Sequence, residues 1–373
     1  MFVHARKVAV PLMAATALIV TGCGSDSGGG ASAALTGGGP GVAKAQTLAE
    51  EASTRPTTLG ALQPIGKPVP AGKKVAFISC GVEACEIQGD IIKQGAADLG
   101  WTATTIGTDG SPEQLQNAFK TALRQGADAV ILNAVNRASV AKQIEEAEQK
   151  GVPFVTCCSI EKPGDGILQT VAGTENSAQI GEKLAAEIVA DSNGKANTLY
   201  VNISAFQILH SLGTQFKSSY QQFCSGCEYG ALDVPATALG KDAPDRIVSY
   251  LRSHPQVNYV VLSVSNALGA GLPAALRAAG LSDKVKIVGQ SGDTQTFQDL
   301  QAKSFQSVVP FDYYAVDYLM LDALARHFAG APAAAAHPPL WIVTSANMPE
   351  TATKGLFPVV EDYRDEFKKI WGK

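Results

Sequence analysis

Between residues 73 and 309 the chain alternates short apolar runs with amphipathic stretches, then does the same a second time. No other feature limits its fold so strongly, because strand-sized runs separated by helix-sized ones build parallel β-α-β units. The first set of runs falls at 75–79, 102–106, 130–132, 154–156 and 168–172; the second at 198–203, 229–234, 259–263, 286–289 and 306–309. One intervening helix carries every local signal. Ser111, Pro112 and Gln114 supply an N-cap, a proline at the first helical position and a capping-box partner. Leu115, Ala118, Phe119, Ala122 and Leu123 form one stripe, closed by Gly126. The expected fold class is α/β, with two doubly wound parallel-sheet lobes.

The chain before these lobes reads differently. His4, Arg6 and Lys7 precede an apolar run over 8–20, which ends in Val20-Thr21-Gly22-Cys23. That is the pattern of a secretory signal ending in a lipobox, with residues 1–22 removed and a lipid placed on Cys23. The run is too short to span a bilayer, and a doubly acylated cysteine anchors a protein without a spanning helix. Gly, Ser and Ala then dominate to Pro40, and Pro56, Pro64, Pro68 and Pro70 follow, so residues 23–72 are expected to be a mostly flexible tether with a short helix over 42–52. The formal net charge of −4, with no cluster of Lys and Arg, argues against nucleic-acid binding. No cofactor or metal is expected, since no Cys/His spacing suits a metal and no Gly-x-Ser-x-Gly, His-Glu-x-x-His or P-loop pattern occurs.

Five stretches carry a resemblance: residues 128–133 (DAVILN), 152–156 (VPFVT), 254–257 (HPQV), the helix over 267–280 and 287–291 (IVGQS). In order and spacing the chain resembles the periplasmic sugar-binding proteins of the ribose-binding type, the type I solute-binding components of ABC importers, over about residues 73–330. The resemblance implies a non-enzymatic protein of two lobes joined by three crossings, near 173–175, 312–313 and 341–346, with ligand held between them. It divides the body into 73–174 plus 313–343 and 175–312 plus 344–373. It also implies a small polar solute, a membrane permease as partner and a monomer, while the lipid on Cys23 would place the protein at the outer face of the cytoplasmic membrane.

Open parallel sheets bind ligands beyond the carboxyl ends of their strands. In the first lobe those ends hold Ser79, Glu83, Cys85 and Glu86, then Asn133, then Cys158 and Ser159; in the second they hold Leu212 within 204–212, Ser265 and Asn266, Ser291 and Asp293, and finally Phe311 and Asp312. Asn133 matches a ligand-binding asparagine of the family. Elsewhere the chain departs from it: an Asp-Arg pair is replaced by Cys158-Ser159, an Asn-Asp pair by Val264-Ser265, an aspartate by Ser291 and an arginine by Leu212. These replacements remove the charged clamp on pentose hydroxyls.

Six cysteines remain besides Cys23. Cys224 and Cys227 follow a helix instead of opening one, which favours a structural disulfide over a redox dithiol. Among Cys80, Cys85, Cys157 and Cys158 the sequence leaves all three pairings open. Two other functions compete with the solute receptor: a ligand sensor for a membrane signalling partner, and a secreted thiol oxidoreductase.

Overall fold

The computed structural model describes residues 39–60, 62–79, 83–335 and 337–373. The signal segment, Cys23 and Cys80 lie outside them. Sheet one comprises β1 (Lys74–Ile78), β2 (Thr102–Ile106), β3 (Ala129–Leu132), β4 (Phe154–Cys157) and β5 (Ile167–Val171), all parallel, in the order β2-β1-β3-β4-β5. Sheet two comprises β6 (Asn197–Ile203), β7 (Glu228–Val234), β8 (Tyr259–Leu262), β9 (Lys286–Gln290) and β10 (Ser307–Val309), also parallel, in the order β7-β6-β8-β9-β10. Position for position the two orders are the same. The expected α/β fold with two doubly wound sheets is therefore the one observed.

The central strands are buried on both faces, and their sequences show it. Every residue of β3, β4 and β8 is buried, which calls for unbroken apolar runs in place of alternation. Helices α2 (Glu83–Asp98) and α11 (Tyr313–Ala329) cover one face of sheet one, while α3 (Pro112–Arg124) and α4 (Arg137–Gln149) cover the other. The stripe on α3 packs as its spacing predicts, with Phe119 meeting Phe154 edge-on at 5.4 Å between ring centres. On sheet two, α5 (Thr174–Asp191) and α6 (Gln207–Phe223) lie on one face and α7 (Ala243–Ser253), the short α8 (Ser265–Leu268) and α9 (Leu272–Ala278), and α10 (Thr294–Gln301) on the other.

Residues 39–72 correct the expectation of a flexible tether. Helix α1 (Pro40–Ser53) buries Val42, Ala45, Ala49 and Ala52 against α5 and α6. It lies so close that a Cβ on Gly41 would stand 2.4 Å from the carbonyl oxygen of Phe223. The strap then runs from the second lobe to the first: Ala52 O accepts from Ile342 N at 2.7 Å, Arg55 Nε donates to Val359 O at 2.9 Å, and Leu59, Ile65 and Val69 are buried in the first lobe's core. Small alanines at helical spacing pack well despite modest hydrophobicity, and three isolated apolar side chains suffice to pin an extended segment.

The C-terminal boundary also moves. Trp341, Ile342 and Val343 join the second lobe, where Val343 bridges Val308. Helix α12 (Tyr363–Trp371) returns to the first lobe, where Trp371 stacks on Tyr318 at 5.6 Å. The assignment of all of 344–373 to the second lobe therefore fails, because Tyr363, Phe367, Ile370 and Trp371 place their stripe against α11.

Candidate functional site

The carboxyl ends of the two sheets face one another across a cleft of about 460 Å³, lined by Ile87 from α2, Asn266, Gly292, Asp293 and Thr294 from the second lobe, Tyr313 at the crossing, and Leu356. Backbone strain gathers at this edge. Ala134, Cys158, Ala172 and Ser291 follow β3, β4, β5 and β9 with φ of 52°, 61°, 48° and 62°. Residues with side chains disfavour that region, and such strain concentrates at functional sites.

The edge also carries buried polar atoms without protein partners. Asn133, 2 % exposed, leaves both its Oδ1 and its Nδ2 unpaired, and the hydroxyls of Ser263 and Ser265, both fully buried, are unpaired as well. A buried polar atom without a partner costs about 1–3 kcal/mol, and this edge gathers such atoms from both sheets. Ser79 donates to Glu86 Oε1 at 2.5 Å, Ser291 reaches Asn266 Oδ1 at 3.5 Å, and Ser159 accepts from Glu161 N at 3.4 Å.

Several residues expected to touch ligand are occupied otherwise. Both carboxylate oxygens of Asp312 accept backbone N–H groups at 3.0 Å, from Ala315 as N-cap of α11 and from Val359. Burial pushes its pKa up to about 6 against the pull of those amides. Asp312 is thus a joint between the lobes. Asp293 caps α10, its Oδ1 accepting from the Thr296 N–H and hydroxyl at 2.8 and 2.7 Å. Leu212 is 1 % exposed in the core beneath α6, so it cannot replace a ligand-facing arginine. Phe311 is half-buried and packs edge-on against Tyr313 at 4.9 Å. Cys85 is buried and disulfide-bonded, and Glu83 begins α2.

The structure pairs Cys157 with Cys158, one of the pairings the sequence left open, and Cys224 with Cys227, as expected. Beneath the first pair, Gln88 Nε2 lies 4.0 Å from Cys157 Sγ and donates to Asp317 Oδ1 at 2.8 Å. Burial holds the Asp317 carboxyl well above the usual carboxylate range. Gln88, Ser263 and Ile87 were not expected at the site. Ser263 could have been found, since it directly follows a strand; Gln88 had no signal beyond its helix. Among the described residues, no cluster of three metal-ligating side chains occurs and no helix is long and apolar enough to cross a membrane.

The model of the periplasmic binding protein domain matches residues 85–332, which include both sheets apart from β1 and much of this edge. The chain belongs to that family. Its members bind solutes without transforming them, so the family makes this a binding protein and not an enzyme. Curated relatives are the D-apiose import binding proteins of Actinobacillus succinogenes, 24 % identical over 215 residues (55 % of this chain and 64 % of the relative), and of Paraburkholderia graminis, 24 % identical over 225 residues (60 % and 70 %). The first match thus spans less than two thirds of the relative's length. Among solved structures, a glucose-galactose binding protein from Geobacillus stearothermophilus superposes with a TM-score of 0.65 at 18 % identity, covering 75 % of this chain and all of the other. A 5-methylthioribose-bound transporter binding protein from Thermotoga lettingae gives 0.63 at 20 % identity, covering 74 % and 88 %. At such identities these structures support the fold of this periplasmic binding protein and leave its ligand open.

Proposed function

We propose that this protein is an extracytoplasmic receptor that captures a small neutral sugar or related polyol between its lobes and hands it to an ABC importer. The carrying observation is the set of unpartnered buried polar atoms, from Asn133 in one lobe and Ser263 and Ser265 in the other. A ligand that reaches both sets does so only when the lobes close, and it stabilises the closed state by its differential affinity. Lipid on Cys23 would hold the protein at the outer face of the cytoplasmic membrane, and the Cys224–Cys227 bridge suits that oxidising location. The sugar-binding relatives favour this reading over a sensor or a thiol oxidoreductase.

The test is a thermal-shift screen of D-apiose, D-allose, D-galactose, D-arabinose and myo-inositol, followed by calorimetry and small-angle scattering. At least one should bind with compaction, and Asn133→Ala should weaken it tenfold or more while leaving the fold intact. Binding that ignores Asn133, or that occurs without compaction, removes the cleft from the account.

A further inference from the structure

We propose that the bridge between adjacent Cys157 and Cys158 is a ligand-contacting surface, which selects neutral cyclic polyols presenting an apolar face or alkyl substituent. The proposal rests on the cleft reading above.

The bridge stands at the binding edge. Cys157 O accepts from Ala134 N at 2.9 Å, placing the pair beside the residue that follows Asn133, and Cys158 N donates to Val171 O at 3.0 Å at the end of β5. Cys157 is fully buried while Cys158 is only half-buried, so the pair is rooted in the core and reaches the surface at its second residue. Cys158 belongs to the half-buried apolar fringe of the first lobe's core, together with Phe311 and the cleft-lining Ile87 and Tyr313. Its left-handed backbone, at φ 61°, is one that a side-chain-bearing residue rarely adopts without a local reason.

Its chemistry decides the class of guest. A bridged cysteine pair has no charge and no N–H or O–H to donate, and its polarisable sulfurs pack well against carbon and hydrogen. The charged groups nearby are already engaged: Asp293 and Asp312 cap helices, Glu86 accepts from Ser79, and Arg137 donates to Asp165 at 2.8 Å. The one cation among them, Arg137, is paired with Asp165, while Glu86 and Asp293 keep uncompensated negative charge, so an anionic guest would meet repulsion and no free counter-charge. A neutral ring is different: it can present hydroxyls to Asn133 and a C–H face, a deoxy carbon or an alkyl group to the sulfurs beside it.

Calorimetry with two matched pairs tests this: D-ribose against 5-methylthioribose, and D-galactose against 6-deoxy-D-galactose. In the wild-type protein the less hydroxylated member of at least one pair should bind tenfold or more tightly than its partner. Cys157→Ser/Cys158→Ser should cut that preference at least fivefold, whereas Cys157→Ala/Cys158→Ala should keep most of it, because alanine restores an apolar surface without the bond. Should the double serine variant fail to fold, Cys158→Ser alone stands in with the same expected loss, since Cys157 is rooted in the core and Cys158 faces the edge. Equal preference in the wild-type, serine and alanine proteins overturns the proposal, as does tighter binding of the hydroxylated members or no binding by any of the four. If sugars bind in an Asn133-dependent way but with no such preference, the cleft reading survives and the role of the sulfurs does not.

Discussion

Cys158 and Ser291 occupy the same place in the two lobes. Each follows the fourth strand of its sheet, each has left-handed backbone, at φ 61° and 62°, and each donates its N–H to the last residue of the fifth strand, Val171 or Val309, at 3.0 and 2.8 Å. The residues after the third strands correspond likewise: Asn133 in the first lobe, Ser263 in the second. Identical backbone thus presents sulfur and an amide on one side and hydroxyls on the other. The fold fixes the backbone at these strand ends, and the side chains alone decide their chemistry.

The largest effect should come from forcing the lobes to be alike. Thr156 in β4 fits because its hydroxyl donates to Leu132 O at 2.6 Å. The corresponding Gly289 of β9 has no such room: a Cβ there would stand 2.3 Å from Ser265 Oγ and 2.9 Å from Leu262 O. Gly289→Thr must displace backbone and should destabilise by about 3 kcal/mol or more, read by urea unfolding. A change under about 1 kcal/mol would mean that the serine edge is loosely packed, and the comparison of the two edges would weaken.

Asp312 belongs to both lobes, and its pH response separates a joint from a ligand contact. Its carboxyl is raised from 3.8 to about 6, so the folded protein favours the protonated form more than the unfolded chain does. The stability this provides is complete below about pH 4 and is lost as pH rises through 6, by at most about 3 kcal/mol. Asp317, Asp322, Glu187 and Asp299 are raised in the same direction, so the informative quantity is the difference from Asp312→Asn, in which all cancel but the part of the Asp317 shift that the Asp312 charge itself causes. Between pH 4 and 7 the wild type should lose about 2–3 kcal/mol relative to that variant. Parallel pH profiles for the two would show that Asp312 titrates as an exposed carboxylate.

Much of this was legible in the chain. Unbroken apolar runs such as Val130-Ile131-Leu132 announce strands buried on both faces, and the capping signals at Ser111 announce α3, because both features are local. What escaped was settled by partners distant in sequence. Leu212 occupies a position that resembles a binding arginine but points into the core under α6, and Asp312 meets Val359 at a separation of 47 residues. Residues 39–72 looked like spacer because their alanines and scattered apolar residues gain meaning only against α5, α6 and α12. The bridge between Cys157 and Cys158 was one of three pairings that the sequence left open, because four cysteines at neighbouring strand ends carry no local signal that chooses among them.

The smallest effect probes the shared strain. At φ 62°, Ser291 holds a conformation that glycine adopts freely, and its side chain makes one long hydrogen bond, to Asn266 at 3.5 Å. If the conformation is kept for binding, Ser291→Gly should relieve strain and stabilise the unliganded protein by about 0.5–1 kcal/mol, partly offset by the greater entropy of the unfolded glycine chain. The same change should weaken a bound sugar severalfold, because the hydroxyl at the second lobe's edge is gone. Stability and affinity should therefore move in opposite directions, which a loss of packing would not produce. Chemical denaturation with and without saturating sugar reads both. A variant that loses stability while binding unchanged would make Ser291 a structural residue, and the likeness between the two strand ends would then be one of backbone alone.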